Sequence, residues 1–260
     1  VKEVTVYAEE RQQSMSRLVA ERRRMSVATL AAEYDVTTET VRRDLSQLER
    51  LGLVRRVHGG VVPADALGPI EAGLGERDRT NADVKDLIAK AAVALLPRDG
   101  GTVVLDAGST TARLAAAIPS DRRLVTFTHA VPVAARLAGL PAVELHLLPG
   151  RVRAATQAAV GADTVTALGR LRADVAFVGT NALTVRHGLS TPDADEAATK
   201  RAIVASARRV VVLADSSKVG RESTISFAAL ADVDCLVTDT GIEPGDRRAI
   251  EKAGVEVVLP

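Results

Sequence analysis

The sequence predicts a two-part fold: a small, mainly α unit at residues 1–62 and a larger α/β unit with a mostly parallel sheet at 84–260. Three observations carry this expectation. Residues 26–60, SVATLAAEYDVTTETVRRDLSQLERLGLVRRVHGG, read as two short helices joined by a tight turn and followed by a basic hairpin. From Asp83 onward, apolar runs alternate with helical periods, as in a sheet covered by helices on both faces. Between these parts, residues 63–83 hold Pro63, Gly68, Pro69, Gly73 and Gly75 without periodicity, which reads as a linker.

Taken in order, a helix is expected over 9–24, with Met15, Leu18 and Val19 on one side. Ser26 can cap a helix over 27–34 that turns Leu30 and Ala31 inward. Asp35-Val36 makes the turn, and Thr37 caps a second helix, 38–51, with Val41, Leu45 and Leu48 at helical spacing. Gly52 stands where a helix end commonly needs a left-handed residue. The hairpin follows and ends at Gly59-Gly60, which completes a winged helix-turn-helix. In the second part, helices are expected over 84–96, 111–118, 130–139, 195–207 and 247–253. Strands are expected at TVVLD, LVTF, VELHLL, DVAFVG, RVVVLAD, CLVTD and VEVVL.

Composition sets the bounds. Hydrophobic residues make up 47%, enough for a substantial core, and with 2% aromatics that core has to be aliphatic. The formal net charge is +1, so any nucleic-acid surface has to be local. The first quarter supplies one, with Arg22, Arg23, Arg24, Arg42, Arg43, Arg55 and Arg56. The single cysteine, Cys235, excludes an intrachain disulfide and reads as buried filler. No apolar run is long enough to span a bilayer, and VKEVTVYAEERQQ lacks the apolar stretch of a signal peptide. A cytoplasmic protein without membrane contact is expected.

Two constellations carry chemistry. The polar face of helix 38–51 bears Thr38, Thr40, Arg42, Arg43 and Gln47, side chains suited to base edges and phosphates. Arg55, Arg56 and His58 on the wing would hold phosphates, while Glu39 and Asp44 orient the arginines or face inward. Double-stranded operator DNA is the expected partner. One such unit makes too few contacts for tight binding, so a homo-oligomer, dimer or tetramer, is expected.

The second constellation lies at the carboxyl ends of the strands, where open α/β sheets bind ligands. Asp106, Gly108, Ser109, Thr110 and Thr111 form a strand-to-helix turn suited to an anion. Thr128 and His129, Gly179 and Asn181, and Asp215 and Lys218 follow three more strands, and Lys200 sits on the preceding helix. Together they describe a pocket for a phosphorylated polyol. Phosphate would take the helix terminus and either Lys200 or Lys218; Asp106, Asn181 or Asp215 would hold sugar hydroxyls. No cofactor is implied, and no His/Cys/Asp spacing resembles a metal site.

Both halves resemble the DeoR family of bacterial transcriptional repressors, from about Tyr7 to Asp239. The resemblance rests on ERQQ at 10–13, TVRRDLSQLERLGLVRRVHGG at 40–60, DAGSTT at 106–111, EAATKRAIV at 196–204 and ADSSKVGR at 214–221. It implies a DNA-binding domain and a sensor domain similar to the ribose-phosphate isomerase fold. It further implies a sugar phosphate that weakens operator binding. YAEERQQ and TTETVRRDL look most like actinobacterial regulators beside fructose operons, which implies fructose 1-phosphate as inducer. The sequence departs from the family pattern at His129, where Asn is frequent, and at Ala182 and Pro149, where Gly is frequent. Two alternatives stay open: a sugar-phosphate isomerase or deaminase with an accessory DNA-binding domain, and a ligand-dependent activator. The enzyme would need a tuned general base beside the sugar, and no paired acidic motif follows Gly179.

Overall fold

The computed structural model describes residues 8–22, 25–57, 60–63 and 73–260. The chain divides into two compact units, Val1–Ala72 and Gly73–Pro260. Expectations that fall on Arg23, Arg24, His58, Gly59 and 64–72 lie outside the described residues, as does the side chain of Arg55.

The first unit contains α1 (Ala8–Arg22), β1 (Met25–Ser26), α2 (Val27–Glu33), α3 (Thr38–Arg50), β2 (Val54–Val57) and β3 (Gly60–Pro63). Both expected caps form. The Ser26 hydroxyl accepts the Thr29 N–H at 2.9 Å, and the Thr37 hydroxyl accepts the Thr40 N–H at 3.2 Å. Asp35 takes a left-handed φ of 48° in the turn, and Gly52 takes one of 69° just past α3. Met15, Val19, Leu30, Val41, Leu45 and Leu48 meet Met25, Val54 and Val61 in one aliphatic core. Each such side chain contributes about 1.5–3 kcal/mol by leaving water.

The hairpin runs beyond Gly60 to Pro63, and β3 pairs on its other side with the unexpected strand β1, in the order β1-β3-β2. Gly60 is required there. A Cβ on it would lie 2.2 Å from the Met25 carbonyl oxygen, a backbone atom that cannot step aside. Gly60→Ala is therefore expected to part β1 from β3 and cost about 1–3 kcal/mol or more. Thermal denaturation of the full chain would show the loss, and an unchanged melting curve would contradict the close approach.

The second unit begins with α4 (Leu74–Arg79) and α5 (Ala82–Val93). This unit starts at Gly73, which precedes α4, and Gly75 lies within that helix. The chain continues through β4 (Gly101–Leu105), α6 (Ser109–Ala117), β5 (Leu124–Thr128), α7 (Val131–Leu137) and β6 (Val143–Leu147). A hairpin, β7 (Arg151–Arg153) and β8 (Ala158–Val160), precedes α8 (Ala162–Leu168). Then come β9 (Ala173–Gly179), β10 (Ala182–Thr184), β11 (Gly188–Thr191), α9 (Ala194–Ala205) and β12 (Ala207–Leu213). The last elements are β13 (Ile225–Ala228), β14 (Cys235–Val237), α10 (Pro244–Lys252) and β15 (Glu256–Val258).

Seven strands form one sheet in the order β15-β14-β12-β9-β4-β5-β6, and every pair is parallel. Side-chain alternation splits the core. Val103, Leu105, Val175, Phe177, Val211 and Leu213 pack on the face covered by α5, α6 and α7. Val104, Ala176, Val178, Val210 and Val212 pack on the face covered by α8, α9, α10 and the small sheet β10-β11-β13. Burial on both faces explains why these strands read as continuous apolar runs. From β4 the chain builds outward through β5 and β6, whereas from β9 it builds the other way. The order reverses between β4 and β9, the point at which open α/β sheets generally form a ligand-binding crevice beyond the strand ends. Among the described residues no helix is long and apolar enough to cross a membrane.

Candidate functional site

In the first unit, α3 buries Val41, Leu45 and Leu48 and leaves Thr38, Arg42 and Arg43 exposed, with Thr40 and Gln47 half-buried beside them. Arg42 donates to Glu39 at 3.3 Å, which holds the guanidinium along the helix. Gln47 accepts from Arg50 at 2.6 Å, and the Thr40 hydroxyl lies 2.9 Å from that of Thr37. Arg56 is tied to α3: its N–H donates to Glu49 at 2.9 Å and its guanidinium to Ser46 at 3.0 Å. The wing is thus fastened to the helix it accompanies. Asp44, the middle of the three acidic residues of α3, turns inward and accepts from Arg11 and Gln12 of α1, both at 2.7 Å. This removes a like charge from the face that would meet phosphates. Arg11 and Gln12 are functional anchors that residue-type reasoning missed, although they lie within ERQQ.

In the second unit, Asp106 ends β4 at the reversal point and is fully buried. One carboxylate oxygen accepts from the Lys200 ammonium and from the Gly179 N–H at 2.9 Å; the other lies 3.0 Å from His129 Nε2. Burial opposes its ionisation. The Lys200 charge and the hydrogen bond from His129 outweigh that and hold the carboxyl at about 2. Lys200 also donates to the Gly179 carbonyl at 2.9 Å and lies 3.7 Å from Glu196, which in turn accepts from Arg153 at 2.7 Å. Arg153 further meets Asp193 at 3.1 Å. An alternating chain of buried charge therefore runs from the sheet through α9 to the β7–β8 hairpin.

This overturns two expectations. Lys200 does not stand free for a phosphate, because it is buried and engaged by Asp106 and Gly179. Asp106 is fully buried, with both carboxylate oxygens in contact with protein groups. Their role is to join β4, β9 and α9 beneath the crevice. His129 belongs to the same assembly: it is fully buried, and its Nδ1 lies 2.7 Å from the Ala159 carbonyl. Thr128 is likewise committed, since its hydroxyl donates to Leu105 at 2.8 Å and accepts the Ala130 N–H at 3.1 Å.

What remains open to a ligand is the rim. Gly108 precedes α6, and no side chain caps the helix. Ser109 and Thr110 are each 7% exposed in that first turn, while Thr111 donates back to the Gly108 carbonyl at 3.0 Å. Asp215 follows β12 and accepts from Asn81 at 3.1 Å and from the Ser217 N–H at 3.2 Å. Lys218 is half-buried in the short helical turn after it, and Asn181 is half-buried after β9.

Lys85 joins this group and was missed. It is 4% exposed, and its ammonium donates to the carbonyls of Arg77 at 2.5 Å and Thr80 at 2.7 Å. Burial pulls its pKa down. Asp215 counteracts that pull, while Lys218, Arg113 and Arg77 add to it. Lys85 therefore sits among charges of both signs, Asp215 against Lys218, Arg113 and Arg77. The signal was present: Lys85 interrupts the buried stripe of Ile88, Ala89 and Ala92, and a lysine on an apolar stripe calls for a partner. Cys235 is fully buried, which pushes its thiol up to about 11. Among the described residues no cluster of His, Cys, Asp and Glu could hold a metal ion.

Residues 11–66 match the DeoR-like helix-turn-helix domain, and residues 80–240 match the DeoR C terminal sensor domain. The chain belongs to the DeoR family. The HTH-type transcriptional regulator GlpR of Haloferax volcanii is 38% identical over 96% of both chains. A putative aga operon transcriptional repressor of Escherichia coli O157:H7 is 33% identical over 99% of this chain and 96% of its own. Among solved structures, ribose 5-phosphate isomerase A from Methanocaldococcus jannaschii is similar over 54% of this chain and 55% of its own. Its identity is 20% and its TM-score 0.40. Each DeoR motif has its own place in the architecture. ERQQ and TVRRDL build one helix pair, DAGSTT supplies Asp106 and the α6 terminus, and EAATKRAIV supplies Glu196 and Lys200.

Proposed function

We propose that the protein is a transcriptional repressor that grips a double-stranded operator through α3 and the wing and releases it when a phosphorylated sugar occupies the crevice. The observation that carries this reading is the separation of two surfaces within one chain. Arg42 and Arg43 are exposed on a helix whose acidic Asp44 is turned away. The uncapped α6 terminus offers N–H groups to an anion. The phosphate takes Ser109, Thr110 and that terminus, with Lys218 supplying charge; Asn181 orients hydroxyls. The name of the Escherichia coli relative, a transcriptional repressor of an operon, supports the sign of the effect.

The buried carboxylate at the strand reversal does not favour an isomerase reading. General-base chemistry needs a carboxylate tuned near neutrality with a free lone pair. Asp106 is held at about 2 with both oxygens engaged. We therefore read the crevice as a sensor.

The test is a mobility-shift titration of the full chain on the DNA upstream of its own gene, with phosphorylated and unphosphorylated sugars. Fructose 1-phosphate is the first ligand to try. Release by a sugar phosphate and not by its parent sugar is expected; no preference for that DNA under any condition would sink the reading. Thr110→Ala should bind DNA as the parent does, yet need roughly ten-fold or more of the same sugar phosphate for release, the worth of one hydrogen bond to a charged group. Release at the parent's concentration would show that α6 does not meet the ligand.

A further inference from the structure

The free edge of the large sheet carries information that neither the DNA face nor the crevice uses. Strand β6 pairs with β5 alone, and it is the longer edge, since the opposite edge β15 has only three residues. A flat edge of this length is normally blunted by charge, proline or a covering element. Here the exposed Glu144 supplies charge, yet Leu147 is 56% exposed at the end of the strand and Val152 follows at 51% just past the turn.

The backbone phase of β6 is set by its bonds to β5. The Leu124 N–H donates to the Ala142 carbonyl at 3.3 Å, and the Leu148 N–H donates to the Thr128 carbonyl at 2.8 Å. Even-numbered residues therefore turn their backbone groups to β5. The N–H and C=O groups of Leu145 and Leu147 and the carbonyl of Val143 point to the open side, while the Val143 N–H donates to the Leu140 carbonyl at 3.1 Å.

We propose that this edge is the self-association surface, pairing antiparallel with β6 of a second copy about a two-fold axis at Leu145. The sequence VELHL is complementary to its own reverse in that register. Leu145 lies opposite itself and Val143 opposite the second copy's Leu147, exchanging roughly four N–H···O bonds in all. Glu144 then faces the second copy's His146, and His146 faces its Glu144, at the closely spaced positions where the two side chains can hydrogen-bond. Within one chain Glu144 already accepts from His146 at 2.8 Å, and His146 stacks on Phe127 at 4.5 Å, so both side chains stand on the same face. Leu147 is covered by Val143, and two seven-stranded sheets become one. The contact is isologous, as closed dimers require. It does not depend on the DNA-and-sugar reading.

The test uses the full chain without DNA or sugar phosphate. Sedimentation equilibrium of the parent should give a dimer or a multiple of it. Leu147→Pro removes an N–H that points away from β5, on an exposed side chain, and should weaken dimerisation roughly ten-fold or more. The double variant Glu144→Cys with His146→Cys, mildly oxidised, should give a covalent dimer on a non-reducing gel, and each single variant should not. The native Cys235 is fully buried and does not compete. Should Leu147→Pro melt early, the cysteine pair decides. A monomeric parent, a properly folded Leu147→Pro that dimerises as tightly as the parent, or a double variant that stays monomeric overturns the proposal. None of these outcomes touches the readout of operator release.

Discussion

Replacing Asp106 with alanine is expected to cost the folded protein about 3–5 kcal/mol, because it leaves the Lys200 ammonium buried without its counter-charge. The melting temperature of the full chain should fall by on the order of 10 °C. Adding Lys200→Met to Asp106→Ala removes the stranded charge and should recover much of the loss. If the double variant melts no higher than the single one, the ion pair is not the source of the stability. The same carboxyl predicts an acid limb. Its folded value of about 2 lies below the unfolded value of about 3.9, so the stabilisation is present above pH ~4. It is lost as pH falls through 2, and amounts to roughly 2–3 kcal/mol. Denaturant titrations at pH 5 and pH 2.5 would measure it; Asp106→Ala should show a smaller drop between them.

Arg42→Ala should weaken operator binding by about 10- to 100-fold, the worth of a well-oriented arginine contact to a guanine edge. Glu39 holds that guanidinium in place, so part of its ordering cost is met before DNA arrives. Sugar-phosphate binding, followed by thermal shift, should not change, because the two surfaces belong to separate compact units. Loss of both activities would indicate misfolding. Unchanged operator affinity would show that α3 is not the reading helix. Affinity of the parent should also fall steeply with added salt, as phosphate neutralisation by Arg42, Arg43 and the wing requires.

Elements whose period repeats for several turns or strand steps could be read from the sequence. Helices α1 to α3, the caps Ser26 and Thr37, the turn at Gly52 and all seven parallel strands are of this kind. The elements that were missed are short and are defined by distant partners. Strand β1 has two residues and exists because β3 passes beside it. Strands β7 and β8 and the small sheet β10-β11-β13 arise from pairings that no local period announces. The site divides in the same way. The crevice at the strand ends was foreseeable from topology, whereas the role of Lys200 was not, because its partner Asp106 stands 94 residues earlier. A lysine in a sequence shows a charge but not whether that charge is free.

The interlocked acids and bases from Asp106 through Lys200 and Glu196 to Arg153 and Asp193 also govern how such a sensor can be retuned. A single exchange anywhere along that row strands a neighbour, so new ligand preferences have to be written elsewhere. Thr110, Asn181 and Lys218 are the places to look, since none is part of that row and, in the proposed reading, a different side chain there would alter what is recognised while leaving the foundation intact.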